Sequence, residues 1–297
     1  MSIKRTCLLL SVLSVGLANA AEAEKAVPPV DQVLTRVHDC SPTIILRSQA
    51  LTPETESKTC DMLSKVEQRF HQLFGTQGKP VRHDNNSSLR ANIYQSREDF
   101  QRYAGKHFDM STDNGGMYLE GNPDRPDNQA EFVANQNKDG SILNLSHEYV
   151  HYLDGRFNMY GDFCATLHDA LSPPENCPAP VPDAPYLVWW VEGIAEYVAK
   201  GDEHPKALQI ASAKSYALSQ LFDTAYEKNN GRERIYTWGY LATRFMMEKR
   251  RAHIEHLLAL TRNGDYARAQ ALMRSWGNSM DAEFATWLDG LHQTSAP

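Results

Sequence analysis

Apolar residues at Met62, Leu63, Val66, Phe70, Leu73 and Phe74 recur three and four apart, the spacing that gathers side chains on one face of a helix. Thr52-Pro53 ahead of them is an N-cap and first-turn pair. Glu54 and Glu56 suit the positive end of that helix, and Gly75 stops it. Strand signals follow. Arg90-Ala91-Asn92-Ile93-Tyr94-Gln95 reads as a strand, and Ser96 caps a short helix carrying Phe100 and Tyr103. Asn114-Gly115-Gly116-Met117-Tyr118-Leu119-Glu120-Gly121 reads as a glycine-led strand, and Glu131-Phe132-Val133-Ala134 as another. Asp139-Gly140-Ser141 is expected to open a second helix, with Leu143, Leu145, Val150 and Leu153 as its apolar positions and Gly155 as its end. From about residue 189 the pattern is mostly helical. Strands before this helix and helices after it give an α+β order.

The ends and the cysteines set the compartment. Lys4-Arg5, the apolar run from Cys7 to Leu17 and the small-residue site Ala18-Asn19-Ala20 read as a secretory signal peptide over 1–20. Residues 21–50 are polar, with Pro28-Pro29 near their start, and are expected as an extended lead-in to a domain over 51–297. No later apolar run is long enough to cross a bilayer, so the expected product is exported, either secreted or periplasmic, with no membrane association after the signal is removed. Four cysteines remain beyond the signal. In an exported chain they are expected to form two disulfides, Cys40–Cys60 and Cys164–Cys177, because each pair closes a short local loop. A loop as short as the second is worth about 3 kcal/mol in the chain-entropy model. The formal net charge is −7, and no basic stripe interleaves with aromatics, which argues against nucleic acid as a partner. Neither an internal repeat nor a low-complexity linker breaks the chain, which is expected to act as a monomer.

The chemistry concentrates at His147-Glu148-Tyr149-Val150-His151. On a helix, two histidines four apart share a face and can meet one metal ion, and the glutamate beside the first can lean over the ion's open side. Such a pair is a zinc signature, and a catalytic zinc takes three protein ligands and leaves one position open. Downstream, Trp189-Trp190-Val191-Glu192-Gly193-Ile194-Ala195-Glu196-Tyr197 places Glu192 and Glu196 one helical turn apart among large apolar residues. A buried carboxylate needs a metal or a partner. One of these two can ligate, and the other can hold a histidine ring N–H. Asp154, one turn beyond His151, suits either a helix-end or an outer supporting role. Gly115 and Gly116 would let a substrate backbone approach closely in extended form. The other histidines, including His168, His204, His253 and His256, read as surface or internally satisfied.

Four blocks in order resemble the secreted microbial collagenases, a gluzincin family of zinc metallopeptidases. The stretch from His147 to Phe157 is similar to their zinc helix, and Trp189 to Tyr197 to their second zinc helix. Asn114 to Glu120 resembles their substrate-facing edge strand, and Gly239-Tyr240-Leu241-Ala242-Thr243-Arg244-Phe245-Met246 a later helix of the same domain. The resemblance implies a two-lobed, thermolysin-like catalytic domain, with a β-rich lobe over about 80–155 and a helical lobe over about 156–297. It implies one catalytic Zn²⁺ held by His147, His151 and Glu192, with Glu148 as general base and Glu196 supporting a ligand. It also implies Tyr240 as a donor to the developing oxyanion, Tyr236 being the next choice, and a structural calcium ion near Glu120.

The chain departs from the family in two respects. The separation between His151 and Glu192 is longer than in the clostridial branch, and the surplus is assigned to a proline-rich loop from Cys164 to Pro185. The chain also resembles a catalytic domain alone. The expected substrate is therefore an extended polypeptide, collagen-like or gelatin-like, more than an intact triple helix. Two other functions stand beside this one: a narrow-specificity peptidase that processes one protein partner, and a non-catalytic binding protein that keeps the zinc scaffold.

Overall fold

The computed structural model describes residues 27–113, 115–170, 177 and 180–293. In chain order the elements are α1 (Val30–Val33), β1 (Arg36–Ser41), β2 (Ile44–Ser48), α2 (Pro53–Phe74), β3 (Leu89–Tyr94), α3 (Arg97–Phe108), β4 (Gly116–Leu119) and β5 (Ala130–Asn135). Helices follow: α4 (Leu145–Asn158), α5 (Val188–Lys200), α6 (Pro205–Ile210), α7 (Leu218–Leu221), α8 (Gly239–Lys249), α9 (Arg251–Thr261), α10 (Tyr266–Trp276) and α11 (Asp281–Gln293). A π-helical segment, Glu233–Trp238, runs directly into α8. The signal peptide expected over 1–20 lies outside the described residues. No described helix is long and apolar enough to cross a membrane.

The strands form one mixed sheet in the order β1-β2-β3-β5-β4. The inner pairs β2/β3 and β3/β5 are parallel, and the outer strands β1 and β4 pair antiparallel. Period-two burial sorts the sheet's side chains onto two faces. Leu89, Ala91, Ile93, Ala130, Phe132 and Ala134 join the main core with Leu63, Val66 and Phe70 of α2 and Tyr149, Val150 and Leu153 of α4. Tyr94 and Val133 turn to the opposite face, where Phe100 and Ala104 of α3 cover them. Burying a side chain such as Phe70 completely is worth about 1.5–3 kcal/mol. Beyond the sheet, α5 is buried along most of its length, with Trp189, Trp190, Ile194 and Ala195 in the core, and it packs against α4 and α8.

Most of the expected elements are present. Thr52 caps α2 by accepting from the Thr55 N–H, and Gly75 ends it with a positive φ of 62°. Ser96 caps α3 by accepting from the Asp99 N–H. Three expectations need correction. The lead-in at 21–50 contains the hairpin β1–β2, whose outer strand is so exposed that its sequence reads as polar. Asp139-Gly140-Ser141 does not open the motif helix. It forms a turn closed by the Gln136–Ile142 bridge, and α4 starts after Asn144, itself at φ 55°. Gly155 does not end that helix, which runs on to Asn158. A Cβ at Gly155 would lie 2.6 Å from Glu120 Oε1, so the glycine is there to admit that side chain. Both expected disulfides are formed, Cys40–Cys60 and Cys164–Cys177.

Candidate metal centre and active site

The histidines of α4 and the glutamates of α5 meet where the two helices cross. His147 Nε2 lies 3.0 Å from His151 Nε2 and 3.2 Å from Glu192 Oε2, and His151 Nε2 lies 3.5 Å from the same oxygen. Ligands about 2.0–2.1 Å from a tetrahedral ion sit about 3.3 Å from one another, so this triangle has the size of one face of such a site. Its chemistry also fits. His147 Nδ1 lies 2.8 Å from Glu196 Oε1, so Nδ1 donates to that carboxylate and Nε2 is the ring atom turned toward the other two donors. Two imidazole nitrogens and one carboxylate oxygen suit zinc. Among the described residues one other group of ligand-type atoms converges, His38 with Cys40 and Cys60, but those cysteines are joined in a disulfide.

The site carries excess negative charge. Burial opposes a charge on the His147 ring, but Glu192 and Glu196 outweigh it and push its pKa up to about 10. Burial likewise opposes charge on Glu192 and Glu196, and the facing histidines overcome it, holding both well below the usual carboxylate range. The site therefore favours positive charge at the point where the three donors meet. Glu148 is half-buried beside His147. Burial raises its pKa, the two histidines pull it down, and the backbone N–H of Tyr118 on β4 donates to it. A carboxylate with a raised pKa, next to a candidate metal position, is the kind of group that moves protons.

Glu192 and Gly193 are fixed by close packing between helices. A Cβ on Gly193 would fall 2.3 Å from both the Gly239 carbonyl oxygen and Thr243 Oγ1, so α5 and α8 touch there at their backbones. Glu196 is held by more than His147. Its Oε2 lies 3.2 Å from His204 Nε2 and also accepts from Lys200 Nζ. His204 is thus buried and belongs to the site, although the sequence left it as an ordinary histidine. Its one signal was position, because Glu196, Lys200 and His204 follow one another at intervals of four. Asp154 sits one turn beyond His151. It is buried, accepts from Asn158 Nδ2 at 2.6 Å, and burial pushes its pKa up to about 6 against the lowering by that bond and by the charge of His151.

The structure separates the two candidate tyrosines. The Tyr240 hydroxyl donates to the Gly201 carbonyl at 3.0 Å, and its ring packs edge-on against His204. The ring that faces His147 belongs to Tyr236, with centroids 5.7 Å apart. Nearby Glu192 is the main cause that raises the Tyr236 pKa, so its hydroxyl stays protonated and able to donate. A second tyrosine that the sequence did not single out, Tyr226, donates its hydroxyl to Glu192 Oε1 at 2.8 Å.

Gly115 and Gly116 lie at and just before β4, the sheet's open edge beside Glu148. A Cβ at Gly115 would strike Leu143, and one at Gly116 would crowd the Val133 carbonyl, so the protein's own packing already demands both glycines. Glu120 is half-buried between β4 and α4 and joins no converging set of ligand atoms among the described residues.

A family model described as collagenase matches residues 19–287. The microbial collagenase of Vibrio alginolyticus is 42% identical over 270 residues, which cover 89% of this chain and 31% of that protein. Those of Vibrio vulnificus and Vibrio parahaemolyticus are 41% and 39% identical, again across 31% of their length. This chain therefore spans less than a third of each of these relatives.

Proposed function

The chain belongs to the collagenase family, and from that footing we propose that it is an exported zinc endopeptidase that cuts extended polypeptides, with collagen-like and gelatin-like chains as the substrate class. The observation that carries this reading is the convergence of His147 Nε2, His151 Nε2 and Glu192 Oε2 beside Glu148 and an open sheet edge. The names of the Vibrio relatives favour collagen-like substrates.

In this reading His147, His151 and Glu192 hold the ion, and Glu196 with His204 keeps the His147 ring turned toward it. A bound zinc supplies a Lewis-acidic centre that polarises the scissile carbonyl and brings the pKa of water to about 7. Glu148 takes a proton from the attacking water and passes it to the leaving amine. Tyr236 donates its hydroxyl to the oxygen on which negative charge develops, the part that the family resemblance gives to Tyr240. Substrate pairs along the free edge of β4 in extended form, so its scissile bond passes Glu148. The sheet and the helices from α5 onward form the two walls of the cleft, in the manner of a two-lobed gluzincin.

Gelatin zymography of the purified protein with and without a zinc chelator tests the reading, alongside Glu148→Gln. Cleavage should vanish with the chelator, return with added zinc, and fall by about 10²–10⁴-fold in the variant while its zinc content holds. Cleavage that survives the chelator would exclude a metallopeptidase.

A further inference from the structure

Glu192 turns one oxygen to the histidines and keeps the other for a tyrosine. Its Oε2 is the atom close to His147 and His151, while Oε1 accepts the Tyr226 hydroxyl at 2.8 Å. A carboxylate held in this way presents a single donor atom. If released, it can rotate until both oxygens face the same ion and fill the position that the reaction needs for water.

Tyr226 is itself held by a second carboxylate. Asp169 is buried, with 8% of its surface exposed, and takes three successive backbone N–H groups. Tyr226 N donates to Oδ1 at 2.7 Å, and Glu227 N and Lys228 N both donate to Oδ2 at 3.2 Å. Charge-assisted bonds to three consecutive residues fix the path of the chain at Tyr226. Asp169 lies inside the loop that the Cys164–Cys177 disulfide closes. That segment is clasped further. The His168 ring lies over Phe163 with centroids 4.2 Å apart, donates from Nε2 to the Phe163 carbonyl at 3.0 Å, and accepts the Ala170 N–H at Nδ1. Leu187 N, just ahead of α5, donates to the Leu167 carbonyl at 2.7 Å. Residues 163–170, the Tyr226 loop and the helix carrying Glu192 are thus tied together.

We propose that Asp169 and Tyr226 are positioning residues for Glu192: Asp169 fixes the 226–228 backbone, and the Tyr226 hydroxyl keeps Glu192 a one-oxygen metal ligand. This rests on the zinc-peptidase reading above. It also gives the segment carrying Asp169, within the long separation between His151 and Glu192, a task at the metal centre.

The test compares the wild-type protein with Glu192→Ala, Tyr226→Phe and Asp169→Asn. Zinc affinity is measured by competition with a chromophoric chelator, coordination by the visible spectrum of the cobalt(II)-substituted protein, and turnover on a quenched gelatin-type peptide. One zinc per chain in the wild type, lost in Glu192→Ala, supports the underlying reading; without that result the reading itself fails. Given it, Tyr226→Phe should weaken zinc about 10- to 100-fold, shift the cobalt spectrum toward higher coordination, and lower kcat with little change in KM. Asp169→Asn should move all three in the same direction by less. A Tyr226→Phe protein with wild-type zinc affinity and an unaltered cobalt spectrum overturns the proposal. Should that variant not fold, wild-type values in Asp169→Asn do the same.

Discussion

Tyr236 and Tyr240 are four residues apart and would share a face of a continuous α-helix. The π-helical turn Glu233–Trp238 disturbs that register, so Tyr236 faces His147 while Tyr240 reaches back to Gly201. The family resemblance put Tyr240 first and Tyr236 second, and no periodic pattern in the sequence announces the π turn that separates them. The structure predicts opposite outcomes. Tyr236→Phe should lower kcat by about 10²–10³-fold, the effect of removing one oxyanion donor. Tyr240→Phe should keep its kcat and cost on the order of 1 kcal/mol of stability, because it loses the bond to Gly201. Steady-state kinetics and urea denaturation of both variants check this, and a Tyr236→Phe enzyme with undiminished kcat would remove Tyr236 from the reaction. The same boundary separates the other site residues. Helical spacing paired His147 with His151 and Glu192 with Glu196, and only the family resemblance chose Glu192 over Glu196 as the ligand. Tyr226 and Asp169 were not legible, because only the folded chain brings Tyr226 to Glu192 and Asp169 to the backbone of Tyr226.

At the scale of elements, local signals worked wherever the physics is local. The caps Thr52, Ser96 and Gly75 marked α2 and α3 because capping involves atoms three or four residues apart. The start of α4 was misplaced because Asp139-Gly140-Ser141 uses the same side-chain chemistry to make a turn. The β1–β2 hairpin was missed because β1 is an exposed edge and shows no alternation. One helix contact was half legible: the resemblance picked the glutamate before Gly193, and the crossing of α5 with α8 explains the glycine. Gly193→Ala would put a methyl group where the Gly239 carbonyl already sits. The expected cost is about 1–3 kcal/mol of overpacking, with zinc affinity lowered as α5 shifts and carries Glu192 with it. Urea denaturation and metal competition together check this, and wild-type values in both would mean that the crossing has slack.

Across the whole molecule, the α+β order was readable but the joint between sheet and helices was not. Part of that joint is Glu120, where β4 meets α4 at Gly155. Burial raises its carboxyl to about 8 from an ordinary 4.5, with Asp84 and Asp162 adding to the effect and the Phe163 N–H opposing it. Asp84, though paired with Arg156, is also pushed up to about 6 by burial. The sign follows from linkage. Below pH 4.5 the carboxyl is protonated in folded and unfolded chains alike. Between 4.5 and 8 the unfolded chain ionises while the folded one keeps its proton, so stability falls across that window and levels off above it. Glu120→Gln removes the charge at nearly constant shape. Its melting temperature in chelator should match the wild type at acid pH and exceed it increasingly toward pH 8, by an amount worth a few kcal/mol. Parallel melting curves across the window would show that Glu120 is not held protonated. The same titration in calcium decides the expectation of a calcium ion near Glu120. A bound ion would keep the carboxylate ionised, so the wild-type curve would flatten and the advantage of Glu120→Gln would disappear.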